Sequence, residues 1–278
     1  MTQPQTIVIT GASDGIGAAA ARQLARRGEQ VVLTGRSPAK TAAVAAELNA
    51  PYYVADFAEL AQVRELAGTL AAEHPHIDVL ANNAGGIFGA RELTPDGFEK
   101  TFQVNHLAPF LLTTLLLPTL TASSAKVVQT SSSAAKLYGL IDIEDLQNEK
   151  KYSPNKAYGD AKLANILFTR ELQRRYGPQG LSAVAFHPGV VATNFASDTT
   201  SFFRFVYHTP LKWLMATTAR KAAGTLTFLA EGTPGQTWQP GEFYADNKLA
   251  RSNEQAYDDY LARELWDQSA ALLAITTA

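Results

Sequence analysis

The chain has 278 residues, 46% of them hydrophobic, and a formal net charge of -2. That is enough apolar material for a sizeable core, and the near-neutral charge without a basic stripe excludes nucleic acid as a partner. There are no cysteines, which excludes disulfides, thiolate metal sites and a cysteine nucleophile.

No Pro/Gly/Ser-rich linker or charge run interrupts the sequence, so a single domain over 1–278 is expected. The lack of cysteine fits a reducing compartment. The opening lacks a basic segment followed by a long apolar one, so a cytoplasmic location is expected. The apolar run Leu111 to Leu117 is interrupted by Thr113 and Thr114. It is shorter than the roughly 18 to 20 apolar residues that cross a bilayer. It reads as a buried helix, with no transmembrane segment.

In chain order, Thr6 to Ile9 is an apolar, β-branched strand suited to burial on both faces. A glycine turn follows, then an alanine-rich helix from Ala18 to Gly28, where the glycine serves as a stop. Val31 to Leu33 is a strand, and Pro38 to Leu48 a helix with proline at an early position. Tyr52 to Val54 and Ile77 to Leu80 read as strands flanking a helix from Leu60 to Ala72. A long helix is expected from about Pro95 to Leu117, a strand at Val127-Val128, and a second long helix from Ser153 to Tyr176 ended by Gly177-Pro178. Ser182 to Phe186 is a strand, Ala219 to Ala230 a helix, Glu242 to Tyr244 a short strand, and Asn253 to Leu273 a final helix. This alternation predicts an α/β fold: a doubly wound (Rossmann) parallel sheet of about seven strands with helices on both faces. Ligand then binds at the carboxyl ends of the strands.

The segment Thr10-Gly11-Ala12-Ser13-Asp14-Gly15-Ile16-Gly17 joins the first strand to its helix. Gly11 can take a turn closed to residues with a Cβ. Gly15 lets backbone approach a pyrophosphate, and Gly17 lets the helix pack close to the strand. The helix N-terminus offers unpaired N–H groups to phosphate. A glycine turn with no ligand is the alternative, and the strand-before, helix-after context argues against it.

The spacing Gly-x-x-x-Gly-x-Gly resembles the short-chain dehydrogenase/reductase family. So do Asn82-Asn83-Ala84-Gly85, Tyr158-Gly159-Asp160-Ala161-Lys162 and His187-Pro188-Gly189, which together cover nearly the whole chain. The retinol dehydrogenase-like and WW-domain oxidoreductase-like branch is resembled at Val104-Asn105-His106-Leu107, at Ala161 to Phe168 and at Leu265-Trp266-Asp267-Gln268-Ser269. The chain departs from that branch at Ala108-Pro109, where Gly-His is usual.

The resemblance implies a nicotinamide cofactor bound by Gly11, Ser13, Asp14, Gly15, Ile16 and Gly17. Asp56 and Phe57 are implied at the adenine edge. Asn83, Ala84 and Gly85 are implied at the ribose, and Pro188, Gly189, Val191 and Thr193 at the nicotinamide. Asp56 could instead cap a helix. After the second strand the sequence reads Thr34-Gly35-Arg36-Ser37, with no acid to repel a 2′-phosphate. Arg36 supplies a charged fork for that phosphate, although it could be a solvated surface arginine. Asp14 weighs the other way. NADP(H) is the expected cofactor.

Tyr158 and Lys162 stand at i and i+4 on one helical face. Free tyrosine titrates near ~10, and a neighbouring ammonium lowers that value, so Tyr158 can act as general acid/base. Lys162 is also implied to bond the nicotinamide ribose. Of Ser131-Ser132-Ser133, the family register on Val127-Val128 selects Ser132 to polarise the substrate oxygen. Ser131 and Ser133 could satisfy local backbone. Asn105 is implied as a proton-relay residue; otherwise it is a polar break that bends its helix.

The five histidines do not cluster as metal ligands, and no metal is expected. The aromatic segment around 194–217 reads as a substrate lid, core packing or a subunit contact. The expected function is carbonyl/alcohol oxidoreduction on a small-molecule substrate of bulky or apolar character. The alternative is a non-catalytic NADP(H) sensor on the same fold. A homo-oligomer is implied by the family.

Overall fold

The computed structural model describes residues 3–189 and 219–276. Its parallel strands are β1 (Thr6–Ile9), β2 (Gln30–Gly35), β3 (Tyr52–Val54), β4 (Val79–Asn82), β5 (Lys126–Thr130), β6 (Ser182–His187) and β7 (Phe243–Ala245). A two-residue β8 (Lys248–Leu249) pairs antiparallel with β7, giving an eight-stranded sheet of order β3-β2-β1-β4-β5-β6-β7-β8. The expectation of about seven strands omitted β8, which is too short to carry a pattern. Its hairpin turns on Asp246 (φ 48) and Asn247 (φ 62), the left-handed pair that suits a tight turn.

The central strands β1, β2, β4, β5 and β6 are buried on both faces, so alternation sorts their side chains into two cores. Val8, Val32, Leu80, Val127 and Ala183 face one core. Ile7, Ile9, Val31, Leu33, Val79, Ala81, Val128 and Val184 face the other. Helices α1 (Gly15–Arg26) and α2 (Pro38–Leu48) cover the second face. Helices α3 (Leu60–Glu73), α5 (Ala108–Ala122) and α7 (Pro154–Tyr176) cover the first. Helix α8 (Ala219–Glu231) joins the second face. Helix α9 (Asp259–Leu272) lies over α7 and α5, with Trp266 stacked on Phe168 and edge-on to Phe110. The short α4 (Lys100–Phe102) and α6 (Ala134–Tyr138) precede α5 and α7.

Local chemistry sets the helix starts. Ser37 and Ser153 cap α2 and α7 by accepting from Lys40 N and Lys156 N, with Pro38 and Pro154 in the first turn. The helix expected from Pro95 starts later, at Lys100, because Glu99 is its cap and accepts from Thr101 N and Phe102 N. Residues 94–98 form a turn closed by Thr94 N to Phe98 O, with Gly97 at φ 84. The helical run Lys100–Ala122 then passes through Pro118 at an exposed position. There the lost N–H does not leave a bond unmet in the core. This run is long and apolar enough to cross a membrane, but 67% of its most apolar window is buried inside the protein. The final helix expected from Asn253 is a 3-10 turn (Glu254–Tyr257), then α9, broken where Asp258 re-caps the chain.

β1 and β4 are hydrogen-bonded neighbours, so the chain reverses its direction of travel across the sheet between them. In doubly wound sheets the crevice at that reversal, above the carboxyl ends of the strands, receives the ligand.

Candidate active site

The glycine segment lies at this crevice. Gly11 and Gly15 have φ of 65 and 56, the left-handed region open to glycine. A Cβ on Gly17 would stand 2.4 Å from Gly11 O, and one on Gly11 would stand 2.8 Å from Ala84 Cα. The cradle is therefore closed to any side chain. Thr10 builds its floor: Thr10 Oγ1 accepts from Asn83 N and Ala84 N, and Asn83 Nδ2 donates to Thr10 O at 2.9 Å. Sequence reasoning assigned no role to Thr10, although it stands beside Gly11 in the motif.

Asp14 is the N-cap of α1, accepting from Gly15 N, and pairs with Lys40 Nζ at 3.2 Å. Its charge is thus shared with a cation beside the crevice. Ile16 is half-buried against the second core. Ser13 touches the end of β2, since a Cβ on Gly35 would stand 2.9 Å from Ser13 Cβ. Arg36 follows directly, exposed, with no hydrogen bond or ion pair to any described residue. Asp56 does not cap α3. It accepts from Ala58 N, while Glu59 holds the cap position without a side-chain bond. Asp96 accepts from Leu60 N instead. The Phe57 ring is buried in the first core, and its carbonyl accepts from Gln103 Nε2.

Across the crevice, Lys162 and Tyr158 share one face of α7, with Lys162 Nζ 5.6 Å from the Tyr158 ring centre. Lys162 is only 2% exposed. Its Nζ donates to Thr130 O at 3.2 Å. Burial alone pushes its ammonium down to about 7, with no carboxylate among the described residues to compensate. A Cβ on Gly85 would meet Asn105 Oδ1 at 2.5 Å and Lys162 Nζ at 3.1 Å, so Gly85, Asn105 and Lys162 converge. Asn105 sits in a π-helical turn, Gln103–Leu107, between α4 and α5. Its amide donates to Gly86 O and Thr101 O, and its Oδ1 accepts from Gly86 N. Such a turn widens the helix and is a common device at functional sites. Asn105 thus sits in the widened turn and lies against the same glycine as Lys162.

The three serines part company. Ser131 is buried and donates to Lys162 O at 2.7 Å. Ser132 is half-buried, and its hydroxyl accepts from Ala134 N. Ala134 also packs on the Tyr158 ring together with Ile87. Ser133 leads into α6 without capping it. If Ser132 is the serine that meets substrate, Ser132→Ala lowers kcat about 10²-fold with little change in melting temperature. Ser131→Ala should lower the melting temperature, because it removes a buried hydrogen bond between β5 and α7 at the Lys162 carbonyl. Steady-state kinetics beside thermal unfolding checks both.

Pro188 and Gly189 end β6, with Gly189 at φ 79 donating its N–H to His187 Nδ1. Val191, Thr193 and the segment expected as a lid around 194–217 lie outside the described residues. His74 pairs with the Tyr53 hydroxyl and His76 with Asp78.

The cradle, the ammonium lacking a carboxylate and the polar wall of Asn105 and Ser132 fit a dinucleotide. Glycine backbone and the α1 N-terminus would hold its phosphates, and Lys162 its nicotinamide ribose. The short chain dehydrogenase family model matches residues 5–202. DnrU of Streptomyces sp. (strain C5), assigned as a daunorubicin C-13 ketoreductase, is 42% identical over 98% of this chain and 93% of its own length. Human retinol dehydrogenase 13 is 37% identical over 98% of this chain and 85% of its own length. A solved structure of an uncharacterised Mycobacterium Paratuberculosis protein superposes with a TM-score of 0.77 at 35% identity, covering 99% of this chain and 95% of that one. The fold is that of an oxidoreductase family that uses nicotinamide cofactors. The chain belongs to the short-chain dehydrogenase/reductase family, in its retinol dehydrogenase-like branch.

Proposed function

We propose that this protein is an NADP(H)-dependent oxidoreductase that interconverts a carbonyl and an alcohol on a bulky or apolar substrate, with Tyr158 as general acid/base. The observation that carries the reading is the buried Lys162 ammonium beside the Tyr158 ring, with Asn105 against the same glycine. In this reading the ammonium so placed favours the phenolate form of Tyr158 over the neutral phenol. Bound nicotinamide would supply or accept the hydride. Tyr158 then gives a proton to the substrate oxygen in reduction and removes one in oxidation. Ser132 donates a hydrogen bond to that oxygen and orients it. Asn105 and Lys162 return the proton toward solvent.

Support for an apolar substrate comes from the segment that follows Ser132 in the chain, where Leu137, Tyr138 and Leu140 are exposed at 67%, 42% and 65%. The relatives are named for a ketone at C-13 and for retinol. A non-catalytic sensor has no need to keep Ser132, Asn105, Tyr158 and Lys162 all in one crevice. The deciding experiment follows NADPH oxidation with a panel of aldehydes, ketones and quinones, and NADP reduction with bulky alcohols. Turnover supports the enzyme; cofactor binding without turnover across the panel supports the sensor.

NADP(H) is preferred in this reading because Arg36 offers its guanidinium where the adenosine ribose lies, with Lys40 one helical turn on. Arg36→Ala is expected to weaken NADPH binding about tenfold or more and leave NADH nearly unchanged, as loss of a charge-assisted contact of ~1.5–3 kcal/mol predicts. Fluorescence titration with both cofactors checks this, and equal affinities in the unaltered protein would overturn the preference. Small-molecule turnover in the cytoplasm, with a possible homo-oligomer, completes the reading. Helix α9 covering α7 narrows the helical surface left for a second copy.

A further inference from the structure

The two branch motifs around His106 and Ser269 are far apart in sequence and meet in the core, where the proposed chemistry does not use them. His106 is 1% exposed and Ser269 is 0% exposed, and His106 Nε2 lies 2.9 Å from Ser269 Oγ. On the other side of the imidazole, Nδ1 has no partner within hydrogen-bond geometry, and neither has Asn165 Oδ1. The Asn165 side chain nonetheless stands close enough to the ring to favour its protonation. Asn165, 1% exposed, donates Nδ2 to Thr130 O at 3.1 Å. That carbonyl is the acceptor for Lys162 Nζ.

Donor and acceptor rules give this row one direction. Thr130 O can only accept, so Asn165 turns its amide nitrogen toward it and its Oδ1 toward His106. The imidazole then carries its proton on Nδ1, and Nε2 must accept from the Ser269 hydroxyl. Burial keeps the ring neutral, down at about 4, which fits a ring with one donor and one acceptor. We propose that Ser269, His106 and Asn165 form a directed polar row, closed when the two unpartnered buried atoms His106 Nδ1 and Asn165 Oδ1 pair with each other, and that this row holds the Thr130 carbonyl against the Lys162 ammonium, making His106 and Asn165 positioning residues for that lysine. The C-terminal helix α9 thereby reaches the active site without touching substrate. The proposal rests on the reading of Lys162 as the partner of Tyr158. Among the described residues, the titratable groups acting on one another here are Tyr158, Lys162 and His106.

The test uses Ser269→Ala, His106→Leu, Asn165→Leu and His106→Asn in the full chain. Leu112→Ala, a fully buried residue of the same core, is the packing control. In the oxidation direction, activity rises with pH as Tyr158 loses its proton. With Lys162 less well held, the rising limb should move up by ~0.5–1 pH unit in the first three variants, since the ammonium stabilises the phenolate less. kcat should fall about tenfold, with KM little changed. His106→Asn, which keeps a donor near the Nδ1 position, should recover most of the limb. The control should lower the melting temperature and leave the limb in place.

The Lys162 side-chain titration, followed by carbon NMR in the cofactor-free chain, is a second readout that needs no turnover. It should move down from about 7 in the same three variants. Failure of all substrates in the unaltered protein would count against the proposed function, while the NMR titration would still decide the chain. Ser269→Ala removes only a hydroxyl and is the variant least able to fail by misfolding. A Lys162 titration and pH limb unmoved in Ser269→Ala and Asn165→Leu, or moved equally by Leu112→Ala, would overturn the proposal.

Discussion

Tyr158→Phe is expected to reduce turnover by about 10²- to 10⁴-fold, the usual loss on removing a general acid/base, while NADPH affinity stays within about twofold. The reason is positional. The ring packs against Ile87 and Ala134, and phenylalanine keeps that packing. Only the hydroxyl, which meets the reacting oxygen in the proposed reaction, is lost. Tyr158 is 6% exposed, so the fold should tolerate the apolar replacement. Steady-state kinetics with a direct NADPH titration separates the two effects. Near-normal turnover in a folded Tyr158→Phe protein would remove the mechanism.

Lys162→Met should abolish most turnover and at the same time stabilise the cofactor-free protein. Met has similar reach and no charge, so it relieves the burial of an ammonium without a carboxylate partner. The lysine titrates at about 7 in the folded chain against 10.5 as its ordinary value. Between these values the unfolded chain holds the extra proton, so the stability of the unaltered protein rises as pH increases from 7 toward 10.5. Below pH 7 the penalty is fully present. The stabilisation by Lys162→Met should therefore be largest near and below pH 7, on the order of 1–3 kcal/mol after loss of the Thr130 hydrogen bond. It should shrink toward pH 10.5. Denaturant unfolding at several pH values measures it. A Lys162→Met protein less stable than its parent at pH 7 would show that the ammonium is not under strain from burial.

The pairing of Tyr158 with Lys162 was legible because it is local. Four residues of separation on a helix place Tyr158 and Lys162 on one face whatever else the chain does. The glycine segment was legible for a like reason, since three glycines between a strand and a helix point to backbone approach. Helix starts at Ser37 and Ser153 were equally open to reading, because a capping side chain and its proline act within one turn. The start at Glu99 was missed: Thr94 to Phe98 compete with the helix through a turn closed by Gly97. That competition leaves no periodic trace.

Tertiary structure gave the three adjacent serines different partners, engaging Ser131 with the Lys162 carbonyl and Ser132 with Ala134 N. It also decided what each acidic candidate does. Asp14 caps α1 and pairs with Lys40, whereas Asp56 turns its own loop and leaves the α3 start to Asp96. None of these follows from spacing, because the partners come from other strands and loops. The sequence by itself determined the alternating α/β order, the two-faced burial of the strands and the Tyr158–Lys162 face, all set by contacts within a few residues. The convergence of Gly85, Asn105 and Lys162, and the meeting of His106 with Ser269, depend on parallel strands delivering distant segments to one edge and one core. Long-range packing settles such meetings, and no local propensity encodes them.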